Sequence, residues 1–248
     1  MRVHDFAQPY RGGQGPVSVL FCHGFTATPW SLRAWAEAVE GAGYRVSVPR
    51  LPGHGTTWQE LAVTEWMDWY ACVEREFLAL RATSEQVFVA GLSMGGALAL
   101  RLAEQHPDDV AGLVLVNPAV SGTWLAQSTV VTRYLTPTVD ALGSDIAQEG
   151  VTEHSYTRTP LAAVHSMTRM WADVRARLDL VYCPLLLFRS ADDHVVPAAS
   201  SEVVLRQVSS EEITERLLAN SYHVATRDHD APQVFTESID FLRTHARR

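Results

Sequence analysis

Residues 91–95 read GLSMG, a GxSxG motif that lies between the apolar run VFVA at 87–90 and the helix-forming run ALALRLA at 97–103. A strand that turns directly into a helix needs positions almost free of side chain at the turn, and the two glycines provide them. The motif therefore predicts a strand–turn–helix with Ser93 exposed at its apex, although an ordinary glycine-rich turn is the alternative. A serine held there beside a base and oxyanion donors is a nucleophile.

Such a serine needs a histidine and a carboxylate, which follow it in the order acid, then histidine. The chain has ten histidines. His223 lies in a polar loop after the strand-like residues 213–218, whereas His229 lies in a charged run typical of a solvated turn. His194 adjoins the acid candidates and is interpreted as a loop histidine. We therefore expect His223 to be the general base.

The carboxylate is expected in the acidic turn after the apolar run LLLF at 185–188. Asp192 and Asp193 compete for this role, because neighbouring residues at a strand end point in different directions and only one can face His223. The pattern Asp-x-apolar-apolar-Pro begins at Asp193, and we favour this residue. Asp192 would then be a turn cap or a surface charge.

An oxyanion hole needs two backbone donors. One is expected from the amide of Met94, directly after the nucleophile and at the positive end of the following helix. The other is expected from Phe25, in the loop after the strand-like run VLFC at 19–22. His23 is interpreted as a residue that orients this loop, and His54 as a hydrogen-bonding histidine of a Pro-Gly turn.

Five pieces of the chain resemble the bacterial carboxylesterase and monoacylglycerol lipase family of the α/β-hydrolases. They are HGFT at 23–26, PGHG at 52–55, GLSMGG at 91–96, DHVVP at 193–197 and YHVAT at 222–226. The segment RARLDLVYCP at 175–184 is similar to the one that leads those enzymes from the cap back to the core. The resemblance is weakest from about 121 to 170. It implies a serine esterase with Ser93, Asp193 and His223 as its triad, and with the Phe25 and Met94 amides as its oxyanion donors.

Apolar runs alternate with helical patterns along the chain, which is typical of a mostly parallel sheet with helices on both faces. We predict an α/β-hydrolase fold in one domain, with residues 1–120 and 181–248 as the core and 121–180 as a small helical cap. The strands are expected at 17–22, 44–48, 86–90, 111–117, 184–189 and 212–218, and the helices at about 29–41, 64–81, 94–106, 198–208 and 231–245.

The expected cap carries large apolar side chains. They can line an acyl pocket, since small-molecule sites are mostly apolar, or simply pack the cap onto the core. The candidates for the pocket are Trp124, Leu125, Met167, Met170 and Trp171. An aromatic group earlier in the chain has helical spacing, which favours core packing: it comprises Trp66, Trp69 and Tyr70.

Composition narrows the class of protein. The 248 residues include 47% hydrophobic ones, which suffices for one large core, and the net charge of −8 argues against a nucleic-acid partner. No apolar run reaches the roughly 18 residues of a membrane span, and the first residues lack an apolar signal core. The three scattered cysteines are typical of a reducing compartment. We therefore expect a soluble, cytoplasmic protein.

The residues together predict hydrolysis of carboxylic esters through an acyl-serine and without a metal or cofactor. The resemblance implies short- to medium-chain acyl esters, including monoacylglycerols, as substrates. The expected partner is a small-molecule ester, and the sequence leaves the acyl chain and the oligomeric state open. Acyl transfer, carbon–carbon bond hydrolysis and a non-catalytic ligand-binding fold remain as alternatives. A metallohydrolase built on His223, Asp228, His229 and Asp230 lacks paired metal-ligand spacing.

Overall fold

The computed structural model of the protein describes residues 3–122 and 136–246. Within these ranges seven strands form one sheet in the spatial order β1-β3-β2-β4-β5-β8-β9. The strands are β1 (Tyr10–Gly12), β2 (Val17–Cys22), β3 (Arg45–Val48), β4 (Gln86–Leu92), β5 (Val110–Val116), β8 (Leu185–Ser190) and β9 (Ile213–Leu218). Two further strands, β6 (Thr138–Asp140) and β7 (Arg158–Pro160), form a separate antiparallel pair.

The large sheet is parallel except at one edge. β3, β2, β4, β5, β8 and β9 pair in parallel, and β1 alone runs antiparallel, beside β3. Every residue of β2 is buried, as is typical of a strand covered by helices on both faces. Because parallel strands end at one edge of the sheet, the loops after β2, β4, β8 and β9 converge there. These are the loops that carry the predicted site residues.

Seven helices are described around the sheet, and they explain the two apolar clusters of the core. The helices are α1 (Trp30–Gly41), α2 (Trp58–Ala62), α3 (Trp66–Arg81), α4 (Met94–Gln105), α5 (Leu161–Arg175), α6 (Ala198–Gln207) and α7 (Ala231–His245). Apolar side chains of α3, α4, α5 and α6 join one cluster with the sheet, whereas those of α1 and α7 join the other. The helices therefore cover both faces, as the alternating pattern predicts.

Two details of the core differ from the expected elements. The helix expected at 64–81 is α3, which begins at a capping box of Glu65 and Asp68. The short helix α2 before it is not anticipated; Thr57 caps it by accepting a hydrogen bond from the Glu60 amide. Strand β1 is not anticipated at all. Three residues at a partly exposed sheet edge show too little apolar pattern to be recognised.

The segment between β5 and β8 lies beside the carboxyl edge of the sheet. In its described part it contains the β6–β7 pair, joined by a long polar loop at 141–157, and then α5. The prediction of a helical cap anticipates α5 but not the strand pair. Residues 123–135 lie outside the described ranges, and with them Trp124 and Leu125. In the described ranges no helix is long and apolar enough to cross a membrane.

Candidate active site

The turn between β4 and α4 has the geometry that the GxSxG motif predicts. Ser93 adopts φ 58° and ψ −121°, a left-handed backbone that non-glycine residues rarely take. A Cβ atom on Gly91 would lie 2.4 Å from the carbonyl oxygen of Gly95, and one on Gly95 would lie 1.9 Å from that of Cys22. The turn therefore needs glycine at both ends, and it presents Ser93 at the edge of the sheet.

His223 and Asp193 form a close pair at the same edge. His223 Nδ1 lies 2.8 Å from Asp193 Oδ2, and the two side chains are only 8% and 7% exposed. The other carboxylate oxygen, Oδ1, accepts hydrogen bonds from the amides of Val195 and Val196, each at 2.8 Å. Burial by itself raises the pKa of Asp193, but the His223 and amide hydrogen bonds bring it below its ordinary value. Asp193 is therefore a carboxylate that fixes the imidazole, with Nε2 left for the substrate side.

The neighbouring aspartate has different surroundings. Asp192 is 71% exposed, and its carboxylate lies 3.4 Å from His194 Nε2 rather than beside His223. Of the two residues at this strand end, the geometry places Asp193 against the predicted base, in agreement with the Asp-x-apolar-apolar-Pro pattern. His194 lies in the loop after β8 and pairs with Asp145 in the 141–157 loop.

The loop after β2 lies against the nucleophile turn. A Cβ atom on Gly24 would be 3.6 Å from the Ser93 Cβ atom, so the two loops are in contact. His23 is fully buried; its Nδ1 donates to the Gly24 carbonyl at 3.0 Å and its Nε2 accepts from the Leu51 amide at 3.2 Å. Burial lowers the pKa of His23 to about 4, so the ring is neutral and suited to orienting the loop.

The two predicted oxyanion donors flank this contact. Phe25 follows Gly24, and Met94 begins α4, where the helix dipole is positive. Neither amide N–H has an acceptor among the described residues. Two unpaired amides beside the nucleophile are what a developing oxyanion requires. The nearby His54 donates from Nδ1 to the Pro52 carbonyl at 3.0 Å, as expected of a turn histidine.

A cavity of about 260 Å³ lies over these loops. Ser93, His223 and Phe25 line it, although no hydrogen bond joins the Ser93 and His223 side chains; such contacts are often long in the absence of substrate. One wall is apolar and is formed mainly by α5, through Leu161, Val164, Met167 and Trp171. Met170 is fully buried and is not among the residues that line this cavity, which favours core packing for it.

The lining also includes two acidic residues that the sequence analysis did not single out. Glu153 and Asp145 both lie in the 141–157 loop and line the cavity. The Ser31 hydroxyl, at the start of α1, donates to the Glu153 carboxylate. Burial raises the pKa of Glu153, and His223 and Arg227 oppose that rise. The loop has no periodic pattern, so no signal in the sequence distinguishes these two acids.

Residues at the ends of core strands form hydrogen bonds with the backbone of the loop that carries His223. Asn117 takes an unusual positive φ of 45° after β5, and its Nδ2 donates to the His223 carbonyl at 2.8 Å and to Ser190 Oγ at 3.0 Å. Ser190 Oγ in turn donates to the Tyr222 carbonyl at 2.8 Å. All of these groups are at the ends of neighbouring strands. The loop of the predicted base is therefore tied to the sheet through its backbone.

The two acids that follow His223 in the chain accept hydrogen bonds from protein groups. Asp228 accepts hydrogen bonds from the amides of Tyr222 and His229, and Asp230 accepts from both the amide and the side chain of Asn220. In the described part of the chain, no group of three or more His, Cys, Asp or Glu side chains could hold a metal ion. These carboxylates stabilise the loop.

Comparison with known proteins places the chain in a family. Residues 16–230 match the family model described as "Serine aminopeptidase, S33". The chain is 42% identical to "Thermostable monoacylglycerol lipase" of Bacillus sp. (strain H-257) over 240 residues, which cover 97% of this chain and 96% of that protein. It is 25% identical to "Carboxylesterase" of Bacillus subtilis (strain 168) over 240 residues, 95% of this chain and 96% of that one.

The fold comparison agrees. A solved structure described as "LipS and LipT, two metagenome-derived lipolytic enzymes increase the diversity of known lipase and esterase families" superimposes with a TM-score of 0.96 at 36% identity, covering 98% of this chain and 100% of the other. The fold described above is thus shared with that structure. The chain belongs to the α/β-hydrolase family that the "Serine aminopeptidase, S33" family model describes.

Proposed function

We propose that the protein is a serine esterase of the monoacylglycerol lipase type, with Ser93 as nucleophile, His223 as general base and Asp193 as the acid that supports it. One observation carries the proposal: Ser93 and His223 line the same cavity, and His223 Nδ1 lies 2.8 Å from Asp193 Oδ2. A serine, a base and an orienting carboxylate in this relation are the requirements for nucleophilic acyl transfer.

The geometry supports the following steps. His223 Nε2 takes the proton of Ser93 as its Oγ attacks the ester carbonyl, and Asp193 compensates the charge of the imidazolium. The Phe25 and Met94 amides donate to the oxyanion. His223 then gives the proton to the departing alcohol, leaving an acyl group on Ser93. A water molecule, deprotonated by the same imidazole, attacks this ester, and its collapse releases the carboxylic acid and restores Ser93.

The mixed lining of the cavity supports an amphipathic substrate. The apolar wall on α5 fits a hydrocarbon acyl chain, since apolar side chains bind apolar ligand surface. The Glu153 side chain, which also lines the cavity, provides a hydrogen-bond acceptor for free hydroxyl groups of the alcohol. A monoacylglycerol has both parts. The relative that is 42% identical bears the name of a monoacylglycerol lipase, which supports the same substrate class.

Three buried cysteines that form no disulfide favour a reducing, cytoplasmic location.

The proposal is tested with Ser93→Ala. We expect the variant to keep its fold and to lose roughly 10³-fold or more of the rate on nitrophenyl esters and monoacylglycerols, because only binding and oxyanion contributions remain. Covalent labelling by a fluorophosphonate should vanish with the activity. Labelling that persists at another serine would show that the nucleophile is misassigned. Glu153→Ala provides the substrate test: it removes the acceptor and should reduce kcat/KM for monoacylglycerols more than for methyl esters of the same acids.

A further inference from the structure

One carboxylate of the 141–157 loop contacts the loops of both proposed triad partners. Asp145 Oδ2 accepts hydrogen bonds from the amide of His223 at 3.0 Å and from the amide of His194 at 3.2 Å. Its Oδ1 lies 2.8 Å from His194 Nδ1. The Asp145 carbonyl also accepts from the amide of Val224 at 3.0 Å. Asp145 therefore lies between the loop that carries Asp193 and the loop that carries His223.

The backbone of His223 is consequently held on both sides. Asp145 accepts from its N–H, and Asn117 donates to its carbonyl oxygen at 2.8 Å. The first contact comes from the segment between β5 and β8, and the second from the sheet. The peptide groups on either side of the imidazole thus have fixed partners, which leaves the side chain little freedom other than rotation about its own bonds.

A second acid reinforces the same junction from the other direction. Asp228, in the chain after His223, accepts hydrogen bonds from the amides of Ala147 and Gln148 at 2.7 and 2.9 Å and from the amide of Tyr222 at 2.9 Å. Residues 145–148 and 222–228 therefore exchange carboxylate–amide hydrogen bonds in both directions. Hydrogen bonds to an ionised acceptor are about twice as strong as neutral ones. Segment 145–148 is joined to the loop of the base.

We infer that Asp145 is a positioning residue for the reaction: by binding the amides of His223 and His194, it sets the separation of the two loops at which His223 Nδ1 meets Asp193. The inference rests on the proposed function of Ser93, Asp193 and His223. Its physical basis is that proton transfer depends steeply on geometry, so that a shift of about 1 Å in a catalytic group costs on the order of 10²-fold in rate. Asp145 acts through His223, without chemistry of its own.

Asp145→Ala tests the inference on an acetyl ester, whose small acyl group makes little use of the apolar wall. We expect kcat to fall roughly 10- to 100-fold with KM nearly unchanged, because positioning is lost while substrate binding is kept. Labelling of Ser93 by a fluorophosphonate should slow by a similar factor. The downfield proton resonance of His223 Nδ1, assigned by its loss in His223→Ala, should shift or broaden.

Asp192→Asn is the matched control. It also removes a carboxylate from His194, at 3.4 Å from Nε2, but that carboxylate has no contact with the His223 amide. It should leave kcat, the labelling rate and the resonance at parental values. Asp145→Asn keeps one acceptor oxygen for the two amides and should recover part of the loss seen with alanine. If the acid only filled space, Asp145→Asn, which has nearly the same volume, would restore the parental rate in full.

The inference is overturned if Asp145→Ala has parental kcat, labelling and resonance, even with a lower melting temperature, or if only KM changes. Should the alanine variant fail to fold, Asp145→Asn is compared with Asp192→Asn, and identical behaviour of the two overturns it as well. A failure of the proposed function is distinguishable from this result. In that case Ser93→Ala itself would remain active, whatever the effect of Asp145.

Discussion

Asp192 and Asp193 are adjacent in the chain, and the charge of each serves a different purpose. Asp193 is buried, and it accepts from His223 and from two backbone amides. Asp192 is largely exposed and borders only His194. Burying an ionised carboxylate costs free energy because the charge loses its hydration. Hydrogen bonds from nearby donors offset that cost only when all of them are formed. The arrangement around Asp193 meets this condition. Because Asp192 and Asp193 have identical side chains in different surroundings, substituting each in turn shows which of them supports His223.

We predict that Asp193→Asn lowers kcat roughly 10³-fold or more, because the amide can neither hold the required tautomer of His223 nor compensate its positive charge. Asp192→Asn should stay within about twofold, as expected of an exposed charge. The measurement is kcat on a nitrophenyl ester at several pH values, with circular dichroism to check the fold. The opposite ranking would assign the acid to Asp192, and equal large losses would implicate the turn rather than one carboxylate.

The same residues show what the sequence could predict about the site. Ser93, Asp193 and His223 each follow a predicted strand that ends at the same sheet edge, and each lies in a short motif, so local patterns suffice to select them. Asp145 and Glu153 lie in a polar loop without periodicity. The partners of Asp145 in the chain are 49 and 78 positions away. Only the folded structure brings such groups together, so their roles could not be inferred from the sequence.

At the scale of elements, the strands and helices with strong apolar patterns lie where they are predicted, to within about two residues at most ends. The exceptions are short: β1, β6 and β7 have three residues each. Strands of this length are defined by their pairing partner rather than by their own sequence. Within the segment between β5 and β8, helix α5 contributes the apolar wall of the cavity. One of its faces lines the cavity and another packs against the core. Trp171 lines the cavity, whereas Met170 faces the core.

This difference gives a matched pair of variants on one helix. Trp171→Ala should shift the preferred acyl chain towards longer esters, because it enlarges the cavity and each methylene in an apolar pocket is worth about 1 to 3 kcal/mol. Met170→Ala should keep the parental chain-length profile and instead lower the free energy of unfolding by about 2 to 5 kcal/mol through a core cavity. Rates on acetyl to decanoyl esters and denaturant unfolding measure the two effects.

Acetyl-ester activity should survive in both of these variants, since the proposed triad lies on the core loops. If both keep the parental profile, Trp171 only packs the helix. If both lose acetyl-ester activity, the division between chemistry on the core and chain-length selection on α5 is wrong.

At the scale of the molecule, the segment between β5 and β8 is attached to the core at several junctions. One is the exchange of carboxylate–amide hydrogen bonds between 145–148 and 222–228. A second is ionic and joins α5 to α4: Arg101 contacts Asp173 on α5 at 3.2 Å and Glu104 on its own helix at 3.1 Å. Glu104 has no exposed side-chain surface, and burial raises its pKa to about 8. This second junction therefore makes stability depend on pH.

The direction of that dependence follows from proton binding. Between the ordinary Glu value of 4.5 and about 8, the folded protein keeps the Glu104 proton that the unfolded chain releases. The folded state thus binds more protons in this window, and the contribution of Glu104 to stability falls as pH rises through it. Below the window the stabilising contribution is fully present, and above pH 8 it is lost.

We predict that Glu104→Gln removes this fall, because the amide is neutral at every pH and its oxygen can still accept from Arg101. The melting temperature of the variant minus that of the parent should increase from pH 5 to pH 8, in thermal unfolding followed by circular dichroism in a constant salt concentration. Glu202→Gln, an exposed acid on α6 whose carboxylate pairs with Arg206, is the control and should give a difference that hardly changes with pH. If the difference for Glu104→Gln is also constant, Arg101 keeps Glu104 ionised over the whole pH range. The junction between α4 and α5 is then a permanent ion pair, and the loss of stability at alkaline pH arises elsewhere.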